Sequence, residues 1–210
     1  MLSSLYDSYL SDLISGNKKG CTEIVERLIE HETPVYELYT GLFQRSMYEV
    51  GQLWQNNQIS VAVEHMATAV TEGLLNLVYP IIFSADHIDR SAIVCCTPNE
   101  YHQLGAKMAA DIFELNGWDS YFLGANTPTH DLLCMIEEKK PDLLGLSVSL
   151  YFSIPYLIET IEVVSASFPN QEIVVGGQAF SWGGKEKLSG HPQVNIIDSI
   201  ITLETVTKEY

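Results

Sequence analysis

The apolar residues of this 210-residue chain change period part-way along, and that change constrains the fold more than any other feature. From Met1 to about Ala85 they recur every three or four positions, as the buried face of a helix does. Leu2, Leu5, Tyr6, Tyr9, Leu10 and Leu13 make one such face, closed by Gly16-Asn17. Ile24, Val25, Leu28 and Ile29 mark a second helix over about Lys19 to Glu32. Thr33-Pro34 reads as a cap with proline at the first helical position. It opens a third helix through Leu38, Leu42, Phe43, Met47, Val50 and Leu53 that ends near Asn56-Asn57, with Tyr36, Tyr39 and Tyr48 expected in the core. Ser60 caps a fourth helix through Val63, Met66, Val70, Leu74, Leu77 and Val78. Four helices with short connections predict a helical bundle over residues 1–86.

Beyond Asp86-His87-Ile88-Asp89 the period shortens. Ala92 to Cys96, Leu143 to Val148 and Ile173 to Val175 are short apolar runs rich in β-branched residues, and Tyr121 to Leu123 and Val194 to Ile197 are weaker ones. Helical segments lie between them, near His102 to Asn116, Thr129 to Lys140 and Pro155 to Phe168, with another from Ser199. Continuous apolar strands alternating with helices predict a parallel sheet covered on both faces. The second domain, residues 90–210, is therefore expected to be a flavodoxin- or Rossmann-like doubly wound five-stranded sheet. Such sheets bind ligands at the loops after the strands' carboxyl ends.

Composition removes several classes. Hydrophobic residues at 46% and charged residues at 18% describe a globular chain. A net charge of −16 argues against holding a nucleic-acid backbone or an anionic membrane surface. The stretch Gly73 to Phe83 is interrupted by Asn76 and Pro80 and falls short of the roughly 20 residues a membrane span needs. Met1 to Gly16 carries Asp7 and Asp12 and no early base, unlike a signal peptide. Cys21, Cys95, Cys96 and Cys134 form no paired framework, which points to a reducing, cytoplasmic setting. Trp118 reads as packing, and His31, His87, His130 and His191 are scattered without metal-ligand spacing.

Two groups of residues stand out. After the first strand comes Glu100-Tyr101-His102-Gln103-Leu104-Gly105. A histidine there projects from the ligand-binding edge, and a carboxylate two residues earlier can accept its second ring N–H and fix its tautomer. Gly105, on the first helical turn, lets a bulky group approach the backbone. Ser147-Val148-Ser149 and Gly176-Gly177 end two further strands, where small residues leave room for an inserted ligand tail. Trp182-Gly183-Gly184 follows nearby. In the helical half, Trp54 ends the third helix, and Glu64 and His65 begin the fourth. The turn between them brings a flat apolar face and a hydrogen-bond acceptor to one end of the bundle.

The first group resembles the cobalamin-binding domains of methionine synthase, of corrinoid mutases and of corrinoid methyl carriers. Their pattern is D-x-H-x-x-G, then S-x-L, then G-G. Here Glu stands for Asp and Ser149 for Leu, and the intervening residues 106–146 and 150–175 match the family's spacers. The resemblance implies a cobalamin bound base-off, with His102 as lower axial cobalt ligand and the nucleotide tail lined by Ser147, Ser149, Gly176 and Gly177. The second group, W-x9-E-H, resembles the adenosylcobalamin-dependent photoreceptors of the CarH and LitR type, whose helical bundle covers the upper corrin face. It implies that Trp54, Glu64 and His65 enclose the adenosyl group. Two features depart from that type: Gln55 stands where its well-studied members have a histidine, and the residues ahead of the bundle are expected to leave no room for a winged-helix domain.

The function so implied is a cobalamin-binding sensory module without catalysis of its own. Its cofactor is adenosylcobalamin, with methylcobalamin the alternative. A protein regulator or effector would receive the signal; self-association stays open, and no contact with nucleic acid or membrane is expected. The competing readings are a corrinoid methyl carrier of a methyltransferase system and a bilin-binding sensor, for which Cys21 is the one candidate attachment site outside the sheet domain.

Overall fold

The computed structural model describes residues 1–209. Its contacts divide the chain into a unit from Met1 to Phe83 and a second beginning at Ser84. Among the described residues no helix is long and apolar enough to cross a membrane.

The first unit is helical. Its elements are α1 (Leu2–Ser15), α2 (Lys18–Glu30), α3 (Val35–Glu37), α4 (Arg45–Gln55) and α5 (Val61–Leu75), with a short α6 (Tyr79–Ile82) after it. α3 and α4 are one continuous rod, because a π-helical segment, Leu38–Gln44, joins them. The predicted stops are made by backbone chemistry. After α4, Asn57 adopts φ 56, Asn57 N–H bonds to the Trp54 carbonyl, and Gln58 N–H bonds back to the Leu53 carbonyl. That pairing satisfies helix-end carbonyls and turns the chain sharply. Gly16 after α1 and Glu32 after α2 do the same. Ser60 caps α5 as expected, its hydroxyl accepting from Val63 N–H. Tyr9, Leu28, Tyr39, Leu42, Phe43 and Leu75 fill the core between these helices.

Two expectations shift. Pro34 occupies the N-cap, with ψ 142, and not the first helical position. The cap contributes its carbonyl, which Glu37 and Leu38 N–H both reach, so the missing proline N–H costs nothing. Tyr48 is 41% exposed and Tyr36 only partly buried, while Tyr39 is buried. The π segment has a wider turn than an α-helix, so residues after it rotate away from the face that a steady 3.6-residue period assigns them. Tyr48 consequently stands on the solvent side, where its hydroxyl accepts from Gln44 Nε2.

The second unit winds β1 (Ser91–Cys96), α7 (Leu104–Leu115), β2 (Asp119–Gly124), α8 (Thr129–Lys139), β3 (Leu143–Ser147), α9 (Ile154–Ser167), β4 (Glu172–Gly176), β5 (Val194–Ile196) and α10 (Ile200–Glu209). The strands are all parallel, in the order β2-β1-β3-β4-β5. α8 and α9 pack together, as do α7 and α10. Alternate strand residues serve the two faces: Ile93, Leu144, Leu146, Ile173 and Val175 join one apolar cluster with Leu157 and Ile161 of α9. Burial on both faces explains why these strands read as unbroken apolar runs.

Trp118 is packing, as its sequence context suggests. It is fully buried, its ring centroid is 5.2 Å from that of Phe113, and its Nε1 donates to the Thr207 carbonyl. It thus ties α10 to α7. Trp118→Ala should cost the second unit about 3–5 kcal/mol. Urea unfolding followed by far-UV circular dichroism will show it as an earlier transition.

Candidate functional site

In the order β2-β1-β3, the connection leaving β1 goes to one side of the sheet and β3 lies on the other. The connections therefore diverge at the carboxyl ends of β1 and β3, opening the crevice where doubly wound sheets hold ligands. All three motif elements of the second unit sit here. Cys96, at the end of β1, is paired with Ser147, and Ser147 with Gly176. The loop bearing Glu100 and His102, the segment Ser147–Ser149 and the pair Gly176-Gly177 are thus neighbours on three adjacent strands.

Glu100 organises the crevice. Its carboxylate is fully buried. Oε1 lies 2.6 Å from His102 Nδ1 and accepts from His102 N–H at 2.9 Å. Oε2 accepts from Ser149 N–H at 2.8 Å and from Leu150 N–H at 3.2 Å. The acid therefore stitches the β1 loop to the β3 loop. Burial pushes its carboxyl up, but the hydrogen bonds from the His102 ring, His102 N–H and Ser149 N–H outweigh it and hold the group below the usual carboxylate range. Asn99 and Asn126, both with positive φ, lock the loop further: Asn99 N–H bonds to Asn126 Oδ1, and Asn126 N–H to the Glu100 carbonyl.

With Nδ1 turned to a carboxylate, a neutral imidazole presents its lone pair on Nε2. The His102 side chain is 53% exposed, so the ring reaches outward while its partner stays buried. A single imidazole nitrogen backed by a carboxylate would suit a metal that a macrocycle already holds. Gly105, in the first turn of α7, has open space where a side chain would begin. Thr97 Oγ1 and Ser153 Oγ are buried in the same loops without a protein partner, which is hydrogen-bonding capacity left for something else. These features fit a corrinoid. Gln103 ties the loop to the end of β2, its Oε1 accepting from Ala125 N–H, and Leu104 opens α7.

The expected slot between β3 and β4 is closed where Val148 meets Gly177. Val148 N–H bonds to the Gly176 carbonyl, and Ala179 N–H to the Val148 carbonyl. A Cβ on Gly177, at φ 118, would lie 2.0 Å from the Val148 oxygen. Glycine is demanded there by the chain's own packing. Ser147 is buried and Ser149 partly so, beside that contact.

In the helical unit, Trp54 occupies the last turn of α4, and Glu64 and His65 the first turns of α5. Trp54 is 45% exposed, which sets it apart from the core. Glu64 accepts from Thr68 Oγ1, and its Oε2 lies 3.6 Å from the exposed His65 Nε2. Cys21, the candidate for bilin attachment, is fully buried, and burial pushes its thiol up to about 11, so neither access nor reactivity supports that role. His31 and His87 hold structural partners, the Arg27 carbonyl and Asp119. Sequence reasoning missed Leu150, Thr97, Asn126 and Ser153. Asparagine at 99 and 126, two post-strand loops, was the available signal of left-handed turns that could meet.

Comparison with known families matches this geometry. A B12 binding domain model matches residues 5–79, and a second B12 binding domain model matches residues 90–198. The chain belongs to the B12-binding domain family. Both B12-binding units have relatives of known role. The chain is 26% identical over 147 residues to the HTH-type transcriptional repressor CarH of Myxococcus xanthus, covering 70% of this chain and 48% of that one. It is 22% identical over 188 residues to methionine synthase of Mycobacterium leprae (strain TN), covering 84% of this chain and 15% of the enzyme. It thus spans about half or less of these relatives. The monomethylamine corrinoid protein of Methanosarcina barkeri shares the fold, with a TM-score of 0.86 at 14% identity over 100% of this chain and 99% of that one. This chain is a cobalamin-binding module.

Glu100→Gln should destabilise the second unit by about 3 kcal/mol at neutral pH, because the buried network loses its charge and one of its two acceptor oxygens. A carboxyl held low when folded stabilises above its unfolded value of about 4.3, and the benefit fades as pH falls through the folded value. Thermal melts of the two proteins should therefore differ at pH 7 and converge as the pH drops below about 4.

Proposed function

We propose that the chain is an adenosylcobalamin-dependent sensor, light being its input, that signals through protein contacts and catalyses no reaction itself. The observation that carries this reading is the Trp54, Glu64 and His65 group. A half-exposed tryptophan at a helix end, beside a carboxylate already oriented by Thr68, is unnecessary for the core yet suited to an adenosyl group. The indole supplies a stacking face, and Glu64 accepts hydrogen bonds from ribose hydroxyls. The 26% identity to the CarH repressor, which spans most of this chain, supports the same assignment.

In this reading His102 Nε2 would hold the cobalt. Glu100 holds the ring's orientation and raises its basicity through Nδ1. The backbone amides of Ser149 and Leu150 hold the Glu100 carboxylate in the position from which it orients the His102 ring. Ser147 and Ser149, beside the closed Val148–Gly177 contact, would offer hydroxyls to the nucleotide tail, and Gly176 would put no side chain in its way. The bound cofactor supplies a weak, photolabile cobalt–carbon bond. Trp54 and Glu64 would contact the cofactor's departing group, and a contact made in only one state would bias the helical unit between two arrangements. Signalling then needs a partner. A net charge of −16 selects a basic protein surface, such as that of a DNA-binding regulator.

Absorbance and size-exclusion measurements on the purified chain test this. Adenosylcobalamin bound in the dark should give the spectrum of a nitrogen-ligated cobalt, which His102→Ala should convert to that of the base-off form. Green light should then produce a lasting change in spectrum and in hydrodynamic size. Trp54→Ala should lower affinity for adenosylcobalamin about tenfold and leave methylcobalamin binding nearly unchanged. Equal binding of the two forms with no response to light would overturn the sensor reading and favour a methyl carrier.

A further inference from the structure

The helical unit carries a groove of about 570 Å³ along α4 and the π segment before it. Trp54 is not part of it. It falls two residues from both Gln52 and Asn56, which line the groove, and at about 100° per residue that puts it on nearly the opposite side of the helix. Thr40, Gln44, Tyr48, Gln52 and Asn56 stand four residues apart and form one row of the groove; Arg45 and Glu49 belong to the next row. Two observations mark this face. Arg45 and Glu49 sit one helical turn apart, where opposite charges usually pair, yet among the described residues neither joins an ion pair. Buried Tyr6 holds them apart: the Arg45 guanidinium lies 3.6 Å over its ring, and its hydroxyl donates to Glu49 Oε2 at 2.8 Å. The guanidinium N–H groups and Glu49 Oε1 are left for a contact elsewhere. The second observation is neutrality. Apart from that one base and one acid the groove is lined by uncharged side chains, in a chain with 27 acids against 11 bases. Two copies of so acidic a chain approach with least repulsion at such a face.

The first row has the same chemistry read in either direction. Gln44 and Gln52 are equidistant from Tyr48, and Thr40 and Asn56 lie equally far beyond them. We propose that this face binds a second copy of the chain, the two α4 helices running antiparallel about a two-fold axis at Tyr48. A two-fold interface requires that residue i meet j and j meet i. Here Tyr48 meets its own equivalent, Gln44 meets Gln52 of the second copy, and Thr40 meets its Asn56. The operation keeps each row on its own flank. Arg45 therefore faces Glu49 of the second copy, displaced along the axis by two residues or about 3 Å, and Glu49 faces Arg45 of that copy. The charges that Tyr6 keeps from pairing within one helix thus pair between two. Rows four residues apart are the ridges by which helices interdigitate. Facing amides can both donate and accept, and the exposed Tyr48 rings gain a packing partner. Trp54 stays uncovered on the far side, so the pairing goes beyond the cofactor reading and does not depend on it.

Sedimentation velocity on the full chain, in the dark and without cofactor, tests this. The chain should dimerise with a Kd of about 1–100 μM. Arg45→Glu makes the face acidic and Glu49→Arg makes it basic, so each variant alone should dimerise about tenfold more weakly or worse. Mixed together they should recover the parent's affinity, because each then supplies the charge the other lacks. Circular dichroism will confirm that both fold. Cross-linking tests the axis in a Cys134→Ser background. Tyr48→Cys should close a disulfide between copies on mild oxidation, since a residue on the axis meets its own equivalent. Gln52→Cys should not, since it meets Gln44. A chain that stays monomeric at about 1 mM would overturn the proposal and leave the groove to a different protein. A dimer indifferent to both charge variants, a mixture no stronger than either variant alone, or cross-linking through Gln52→Cys and not Tyr48→Cys would each overturn it as well.

Discussion

A carboxylate sealed from water, Glu100, accepts four hydrogen bonds at the point where the winding of the sheet reverses. Buried charge is costly unless every lone pair is engaged, and here the donors come from two loops that no regular hydrogen-bond ladder joins. Satisfying that one charge therefore sets three things together. It orients the His102 ring, it fixes the β3 loop through Ser149 and Leu150, and it pins the β1 loop whose outer face carries Tyr101. An apolar residue at 100 would leave the sheet intact and lose all three.

The rest of the second unit can be understood as support for that contact. Five parallel strands buried on both faces give the loops a rigid base, and the register Cys96 to Ser147 to Gly176 brings their ends level. Gly177 admits the Val148 carbonyl at a distance no other residue tolerates, so the β3 and β4 loops stay in contact. The helical unit follows a different logic. Its first helices are ended by left-handed residues and backbone pairing, and its core is mostly aromatic and aliphatic. Trp54 departs from that core at a helix end, where it is half exposed.

Much of the fold was legible in the sequence. Hydrophobic period separated helical from alternating segments, and each predicted strand and long helix is present within a few residues. The departures have local causes. The π segment Leu38–Gln44 leaves no mark in a 3.6-residue pattern, and it moved Tyr48 from the expected core to the surface. Pro34 fell one residue outside its helix because a cap and a first turn both accept proline. At the site, Glu100 and His102 were legible because their pairing is local, two residues apart. Leu150 and Asn126 were not, since each contributes through a backbone group or an amide that any loop might carry.

The sequence by itself determined the order of helices and strands, the strand-end positions of the three motif elements, and the identity of the histidine and its carboxylate. Those follow from short-range periodicity and side-chain chemistry. Tertiary structure alone decided that Glu100 is fully buried and that its second oxygen is spent on the β3 loop. It also decided that Cys21 is out of reach. Each of these depends on which distant segments pack together, and burial is a property of that packing that no local pattern records.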